Sequence, residues 1–404
     1  MRNIYVRVLI VIFVLSLVCS FLITSAISQI TISRQIQSWG EIARAPTPQL
    51  RVNGLYLEDG SGQRVYLRSV NVDWNERMKK YGTTSSANSP EESWFTEQDV
   101  EQIKAGGGNC FELHVMRLQE VMPQRNVIDE SFFTNWLDKW VSWGEKNQVY
   151  FIINIRGFAW TSWGPMYPRW LWEGIQPEPT NDAEADVLVR NFFDTDIQEQ
   201  EINRQAFVDA WKFIANRYKN NPYAIFGIMN EPLCTITLPD STASVHLGSA
   251  YSALMTQVID GIRSTGAQQV VFVDKPFLWS LSHIQPVNRD NAVWEEHMYV
   301  TSSVDLNIWK SHVSDSVRRF VGDFNKPMYM GEYGIDPYDL VKTTYATTWK
   351  DIIASQVAYL DGLSIVGRQW HQWGVLQGEY YDYTTNYFSP EESTWIVQTV
   401  LGAK

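Results

Sequence analysis

Two glutamates lie in short motifs whose residue types suit acid–base or nucleophilic chemistry. Glu231 is the middle residue of an Asn-Glu-Pro motif, and Glu332 lies in a Gly-Glu-Tyr-Gly motif. Each motif comes at the end of a short apolar run, which is the pattern of a buried β-strand. Carboxyl groups that meet in one cleft can divide proton transfer and nucleophilic attack between them. Such chemistry requires a fold that brings the two glutamates together.

Histidine and aromatic side chains follow two further apolar runs. His297 and Tyr299 form a His-x-Tyr motif, while Trp370 and Trp373 belong to the segment Arg-Gln-Trp-His-Gln-Trp at 368–373. Taken singly, each of these residues is equally well explained by a structural role, because large aromatic side chains are usually well buried in protein cores. Their positions become informative only together with the elements that carry them.

Short apolar runs alternate with longer helical patterns from residue 70 onward. We predict strands around Val70 and at 109–115, 149–155, 224–229, 270–273, 292–299, 327–330 and 362–366, and helices that include 96–105, 131–146, 199–218 and 249–264. This alternation is typical of a parallel sheet with helices outside it. Eight strands favour an α/β fold of the (β/α)8 TIM-barrel class over an open sheet. Reactive side chains of such barrels lie at the carboxyl ends of the strands, where both glutamates fall.

The first 49 residues are predicted to lie outside the barrel. Arg2 and Arg7 precede an apolar stretch at 8–27, so residues 1–28 are interpreted as a signal anchor or a cleaved signal peptide, and 29–49 as a polar linker. About 20 apolar residues suffice to span a bilayer, and the preceding arginines stay on the cytoplasmic side. We therefore expect an extracytoplasmic protein, either membrane-anchored by this single helix or secreted. A cytoplasmic enzyme with a buried first helix is the alternative.

The domain assigned to 50–404 opens with a predicted β-hairpin, in which strands at 51–58 and 64–72 flank a turn at 59–62.

The composition of the chain excludes several classes of protein. The 404 residues are 45% hydrophobic, and the formal net charge is −12, so a folded domain is expected and nucleic-acid binding is not. The spacing of cysteines and histidines matches no zinc site, and there is no phosphate-binding or dinucleotide-binding glycine motif. We therefore expect no metal and no cofactor, and we expect a monomer with Cys110 as a small buried side chain.

The ordered set of motifs resembles glycoside hydrolase family 5, the cellulase and mannanase family, over roughly residues 50–395. The resemblance implies a retaining β-glycosidase in which Glu231 is the general acid/base and Glu332 the nucleophile. It further implies that Asn230 binds the sugar 2-hydroxyl. His297 and Tyr299 would line the cleft, with Tyr299 orienting the nucleophile. Trp370 would form the floor on which the sugar stacks, with Trp373 as the neighbouring candidate.

Two positions depart from the family pattern. Counting from Asn109, Glu112 stands where the family usually has arginine, and Arg156 stands where it often has histidine at the end of the third strand. We hypothesise that Glu112 and Arg156 pair across neighbouring strands and so restore the charge balance. The alternative is a register error of one or two residues, with His114 or Arg117 filling a role in the site.

Tryptophans in the loops bear on the substrate. Aromatic residues make up 14% of the chain, with 18 tryptophans, and six of these are assigned to loops at the barrel mouth: Trp74, Trp160, Trp163, Trp170, Trp172 and Trp279. Flat rings on several loops favour an extended cleft, and hence a β-linked glucan or mannan-type oligo- or polysaccharide; packing of the loops is the alternative. A transglycosylase, a catalytically silent glycan-binding protein and a metal enzyme using His297 and His371 are the competing hypotheses.

Overall fold

The structure of the protein is a computed structural model. It describes residues 48–73, 93, 95–157, 160–161, 164–165, 168–174, 177, 179–232, 241–276, 281–335, 348–371, 373 and 389–402. The predicted signal segment and nearly all of the predicted linker lie outside the described residues. Among the helices that are described, none is both long enough and apolar enough to cross a bilayer.

Eight parallel strands close into a barrel. All described strands, including those of two small antiparallel sheets outside the barrel, are in chain order β1 Arg51–Asn53, β2 Tyr56–Glu58, β3 Arg64–Val65, β4 Leu67–Asp73, β5 Cys110–Met116, β6 Tyr150–Arg156, β7 Trp160–Thr161, β8 Gly164–Pro165, β9 Ala224–Asn230, β10 Val271–Asp274, β11 Ala292–Val300, β12 Met328–Ile335 and β13 Gly367–Trp370. The barrel order is β4-β5-β6-β9-β10-β11-β12-β13, with β13 pairing back onto β4. The predicted (β/α)8 barrel is therefore confirmed.

Helices connect the barrel strands. They are α1 Glu97–Ala105, α2 Leu118–Val121, α3 Glu130–Phe132, α4 Asp138–Asn147, α5 Asp182–Phe193, α6 Glu201–Tyr218, α7 Ser241–Ser264, α8 Leu306–Val317, α9 Trp349–Asp361 and α10 Pro390–Leu401. A π-helical turn at Phe133–Leu137 joins α3 to α4, and another at Arg318–Asp323 extends α8. Local sequence sets several of the ends: α10, for example, begins with a capping box between Ser389 and Glu392 and has proline in its first turn.

The eighth barrel strand lies later in the sequence than predicted. Residues 362–366 do not form it, because Gly362 ends α9 and the chain then turns, with the amide of Leu363 bonded to the carbonyl of Leu360. Ile365 and Val366 are buried in this turn, so their apolar character reflected burial and not a strand. The strand itself carries the polar residues Arg368 and Gln369, whose partners come from distant parts of the chain.

The predicted opening hairpin is only partly correct. The chain folds back at Gly54, which has a φ of +60°, so that β1 pairs with β2 and β2 with β3 in a small antiparallel sheet. The expected turn at 59–62 is present, with the amide of Gly62 bonded to the carbonyl of Asp59. Glycine tolerates the positive φ that the extra turn requires. The predicted strand at 51–58 is therefore two short strands.

Two layers of side chains fill the barrel interior. The floor layer is apolar and consists of Leu67, Ile152, Ile225, Phe272, Val293 and Tyr329, all buried in one cluster. The polar layer above it, toward the carboxyl ends of the strands, consists of Asn71, Glu112, Asn154, Asp274, Glu295 and Gln369, all buried as well. Gly227 and Gly331 leave room in this layer, because a Cβ at either position would collide with Asn154 or Glu295, respectively.

Candidate active site

Glu231 and Glu332 face one another at the mouth of the barrel. Glu231 directly follows β9, and Glu332 lies within β12. One carboxylate oxygen of each, together with a ring nitrogen of His297, lie within 4.8 Å of one another. His297 Nδ1 is 3.1 Å from Glu231 Oε1 and 3.7 Å from Glu332 Oε1. The barrel thus brings together the two glutamates and the histidine that the sequence singles out.

The backbone of Glu231 is held in an unusual conformation. Its φ is +42°, in the left-handed region that residues other than glycine seldom adopt. Its amide N–H donates a 2.6 Å hydrogen bond to Asp274 Oδ2, from the end of the neighbouring strand β10. Such backbone conformations persist where surrounding contacts enforce them, and they cluster at functional sites.

Glu332 is almost completely buried. The hydroxyl of Tyr299 donates a hydrogen bond to its Oε2, and His371 Nδ1 lies 3.6 Å from the same oxygen. Burial raises the pKa of Glu332, and the negative charge of Glu231 adds to that rise, whereas His297, His371 and the Tyr299 hydrogen bond lower it. Three groups therefore favour the ionised form of an otherwise desolvated carboxyl group.

His297 is buried between four carboxyl groups. Glu231 and Glu332 lie on its Nδ1 side, while Asp274 Oδ2 and Glu295 Oε1 are each 3.6 Å from Nε2. Burial by itself lowers the pKa of His297, but the surrounding carboxylates outweigh it and hold the pKa well above its ordinary value. This arrangement favours the imidazolium, which gives the site a fixed positive charge.

Glu112 lies in the polar layer beneath the two glutamates. Asn154 Nδ2 donates to its Oε1 at 2.5 Å, and the side-chain amides of Asn71 and Gln369 donate to its Oε2. The orientation of Gln369 is fixed, because the hydroxyls of Ser69 and Tyr329 both donate to its Oε1. Burial raises the pKa of Glu112 well above its usual value, and the charges of Glu295 and Glu332 act in the same direction.

Comparison with known proteins identifies the family. The family description "Cellulase (glycosyl hydrolase family 5)" matches residues 72–374, about three quarters of the chain. The chain belongs to glycosyl hydrolase family 5. It is accordingly a glycoside hydrolase whose substrate is an oligosaccharide or a glycoconjugate. A search of curated protein sequences finds no match.

Several solved structures share the fold of this chain. Endo-glycoceramidase II from Rhodococcus sp., in a cellobiose-like imidazole complex, is 18% identical, with 78% of this chain and 75% of that chain covered and a TM-score of 0.59. An endogalactoceramidase is also 18% identical, with 87% and 84% covered and a TM-score of 0.63. The cellulose synthase subunit Z from Clostridioides difficile is 13% identical, with 83% and 99% covered and a TM-score of 0.55. At these identities the similarity shows the fold, and this chain is a divergent member of its family.

The hypothesised pair between Glu112 and Arg156 does not form. In the pairing of β5 with β6 the partner of Glu112 is Ile152. Arg156 lies four residues farther along β6, opposite Asn230. At a rise of ~3.3 Å per residue this separates the two positions by about 13 Å along the strand. Within the described part of the chain no ion pair joins Glu112 to Arg156. Side-chain amides stabilise Glu112 instead.

The predicted aromatic floor is partly wrong. Trp373 is 1% exposed, and its indole N–H donates to Asp99 Oδ1 of α1 at 2.9 Å, so it packs in the core outside the barrel and offers no face to a sugar. Trp370 ends β13 and packs edge-on against Tyr333, with ring centroids 5.6 Å apart. It is 4% exposed, and its role as a stacking floor stays a prediction.

The remaining predicted site residues divide into three groups. Asn230 is 6% exposed, and its Oδ1 has no hydrogen-bond partner among the described residues, which suits the binding of a hydroxyl. Trp170 and Trp172 are buried, and the indole N–H of Trp170 donates to the carbonyl of Met122, which favours the packing alternative for Trp170. The structure does not describe Trp74, Trp163, Trp279 or the side chains of His114 and Trp160, and predictions about them are untested.

Asp274 and Glu295 are the site residues that sequence reasoning missed. Asp274 is the last residue of β10, at the carboxyl end of a barrel strand, where reactive side chains are expected. Its position at the end of the fifth barrel strand was therefore the available signal. Glu295 lies two residues before His297 on the same strand, inside the barrel, and period-two alternation along β11 was the available signal.

Distances alone would allow a metal ion between Glu231, His297 and Glu332. The surrounding carboxylates raise the pKa of His297, so a metal would have to displace a proton from the ring. His297 Nδ1 is also already within hydrogen-bond distance of Glu231. The arrangement is better suited to two carboxyl groups that act on a bound sugar directly.

Proposed function

We propose that this chain is a retaining glycoside hydrolase that cleaves β-linked glucan or mannan-type oligo- or polysaccharides by double displacement. The observation that carries the proposal is the separation of Glu231 and Glu332, whose nearest carboxylate oxygens are within 4.8 Å. Retaining glycosidases place their two carboxyl groups about 5 to 5.5 Å apart, whereas inverting enzymes need about 6.5 to 9.5 Å to admit a water molecule between them.

The mechanism follows from the environments of the two groups. Glu332, oriented by Tyr299, attacks the anomeric carbon and forms a glycosyl ester. As the bond to the leaving oxygen breaks, Glu231 donates its proton to that oxygen. A water molecule then gives a proton back to Glu231 and attacks the same carbon, which releases Glu332 as a carboxylate.

The choice of glucan or mannan rests on the resemblance of the motifs to cellulases and mannanases. A second candidate substrate is a glycolipid, which the structural neighbours favour. These neighbours include endo-glycoceramidase II as a lactosyl-enzyme intermediate and in complex with ganglioside GM3. Transfer of the sugar to an acceptor other than water would use the same intermediate, and a silent glycan-binding protein would use the cleft without it.

The test compares wild-type full-length protein with Glu332→Gln on β-glucan, β-mannan, xylan and ganglioside GM3. New reducing ends from the wild type alone support the proposal, and the substrate that responds names the class. Proton NMR of the first-formed anomer distinguishes retention from inversion. Added sugar acceptors that appear in the products indicate transglycosylation. Binding without turnover by a folded wild type, unchanged in Glu332→Gln, would favour the glycan-binding alternative.

We also propose export of the chain, with residues 1–28 as signal or anchor, and action as a monomer. The arginines before the apolar stretch at 8–27 support the orientation. Fractionation of producing cells into membrane, cytoplasmic and external fractions tests the first proposal. Size-exclusion chromatography with light scattering tests the second, since a dimer would appear at twice the mass of the chain.

A further inference from the structure

Asp274 contacts the proposed proton donor, Glu231, from two directions. Its side chain is 2% exposed, and its Oδ2 accepts the 2.6 Å hydrogen bond from the amide of Glu231. The same oxygen lies 3.6 Å from Nε2 of His297, whose Nδ1 is 3.1 Å from Glu231 Oε1. Asp274 therefore contacts the backbone of Glu231 directly and faces its carboxyl group through one imidazole ring.

The position of Asp274 is itself fixed. The hydroxyl of Tyr251, a buried residue of α7, donates a 2.6 Å hydrogen bond to the backbone carbonyl of Asp274. Strand β10 pairs with β9, which Glu231 directly follows, and with β11, which carries His297. An aspartate on a rigid strand with its carbonyl anchored to a helix can hold other groups in place.

A purely structural role explains Asp274 poorly. Transfer of a carboxyl group into a desolvated site is costly, and a neutral acceptor would satisfy the Glu231 amide without that cost. Burial raises the pKa of Asp274 well above its usual value, while His297 and the Glu231 amide oppose that rise. The groups around His297 are Asp274 on β10, Glu295 on β11, Glu231 after β9 and Glu332 on β12. Asp274 also accepts a hydrogen bond from the backbone of Glu231.

We propose that Asp274 is a positioning residue for proton transfer by Glu231. It holds the left-handed backbone of Glu231 through the amide hydrogen bond, and it holds the ring of His297 in the orientation that places Nδ1 against the Glu231 carboxyl group. The inference rests on the proposed glycosidase function, because it assigns Glu231 the role of proton donor.

The kinetic test exploits the leaving group. The 2,4-dinitrophenolate of an aryl β-cellobioside or β-lactoside leaves without protonation. The phenolate of the corresponding phenyl glycoside needs a proton from Glu231. We expect Asp274→Ala to lower kcat/KM about 100-fold on phenyl glycosides and by less than about 5-fold on dinitrophenyl glycosides, since general acid catalysis contributes about 10²- to 10⁴-fold. Asp274→Asn keeps an acceptor for the Glu231 amide, and we expect it to recover at least half of the loss on a logarithmic scale.

A matched control separates positioning from general damage to the fold. Asp99→Asn alters another buried aspartate, which lies on α1 and accepts hydrogen bonds from Thr96 and Trp373. We expect this variant to change kcat/KM by the same factor on both substrates. The proposal is overturned if Asp274→Ala also lowers kcat/KM equally on both substrates. It is likewise overturned if Asp274→Asn has no higher kcat/KM on phenyl glycosides than Asp274→Ala.

Hydrogen exchange provides a readout that does not depend on activity. Peptides that include the Glu231 amide are expected to exchange at least about 10-fold faster in Asp274→Ala than in the wild type, with Asp99→Asn unchanged there. Failure of the wild type to hydrolyse any glycoside would count against the proposed function, and exchange would still decide whether Asp274 holds Glu231. Unchanged exchange at Glu231 in Asp274→Ala would overturn the positioning role even in an active enzyme.

Discussion

The floor layer and the polar layer are built from the same strands yet obey opposite rules. On β10, Phe272 belongs to the floor and Asp274 to the polar layer; on β11 the corresponding change is from Val293 to Glu295. Two residues along a strand, about 7 Å, separate complete apolar packing from a concentration of buried carboxyl groups. The floor closes the barrel, and the polar layer supports the groups at its mouth.

The difference shows where stability and chemistry compete. Floor side chains gain by leaving water, as the rings of Phe272 and Tyr329 do at a centroid distance of 4.6 Å. The carboxyl oxygens of Glu295 are buried without a hydrogen bond in the part of the chain that is described, and their nearest ionic contact is His297 Nε2 at 3.6 Å. Burial of such a group is unfavourable. The polar layer therefore lowers the stability of the fold, as expected if its charges adjust the pKa values of the groups at the barrel mouth.

The largest effect should come from the mouth. Glu332→Gln keeps the size of the side chain and removes the nucleophile, so we expect kcat/KM to fall at least about 1000-fold. The melting temperature should stay the same or rise, because a buried carboxyl group is replaced by an amide. Initial rates and differential scanning calorimetry on the same preparation check both halves of the prediction. Near-normal activity in this variant would show that Glu332 is not the nucleophile.

The floor should behave in the opposite way. Phe272→Ala removes a fully buried ring, and we expect a loss of about 3 to 5 kcal/mol in the free energy of unfolding. Activity per folded molecule should stay within about threefold, since the floor side chain does not reach the mouth. Urea unfolding and kinetics well below the melting temperature measure the two quantities. A specific loss of kcat without loss of stability would break the division between the layers.

Tyr299→Phe removes one hydrogen bond to Glu332 and nothing else of the side chain. A hydrogen bond to a charged group contributes about 1.5 to 3 kcal/mol, so we expect a loss of roughly 10- to 150-fold in kcat/KM. The bond lowers the pKa of Glu332, so its loss should raise that pKa. Because the nucleophile must be ionised, the acidic limb of the pH–rate profile should move to higher pH. Tyr150→Phe, whose hydroxyl donates to the carbonyl of Pro48, is the control and should leave the profile in place.

Glu112→Gln should have the smallest effect on activity and a pH-dependent effect on stability. The pKa of Glu112 is raised in the folded state, so the folded protein holds a proton that the unfolded chain releases above about pH 4.3. Wild-type stability contributed by this group is therefore present at low pH and is lost as pH rises, by about 1.4 kcal/mol for each unit that separates the two pKa values. The variant should gain melting temperature over the wild type as the pH increases from 4 to 8. If the difference in melting temperature between variant and wild type is constant across this range, Glu112 has the same pKa in the folded and unfolded states.

The sequence was sufficient for the barrel and for the facing of the two glutamates. The apolar runs are long enough to define most strands, and barrel topology places their carboxyl ends together whatever lies between them. It was insufficient where a residue's neighbours lie far away in the chain. Trp373 is bonded to Asp99, 274 positions earlier, and Gln369 is a polar strand residue because Glu112 accepts its amide.

Charge balance was the other limit of the sequence. Replacement of the family's usual arginine by Glu112 suggested compensation by Arg156, because a pairwise search looks for the nearest opposite charge. In the structure the neutral amides of Asn71, Asn154 and Gln369 donate hydrogen bonds to Glu112, and the charge of His297 lowers its pKa. Such a set has no signature in sequence spacing, since its members come from four different strands.

Gly331 has a consequence for how this family can diverge. Any side chain larger than hydrogen at position 331 would occupy the space of the Glu295 carboxyl group, and position 227 stands in the same relation to Asn154. A relative that gains a side chain at 331 must move or lose the Glu295 carboxyl group. The two positions should therefore co-vary among relatives, with glycine at 331 accompanying a long acidic side chain at 295 and a larger residue accompanying its loss. That pattern would distinguish members with a carboxyl-rich barrel from those that balance their nucleophile in another way.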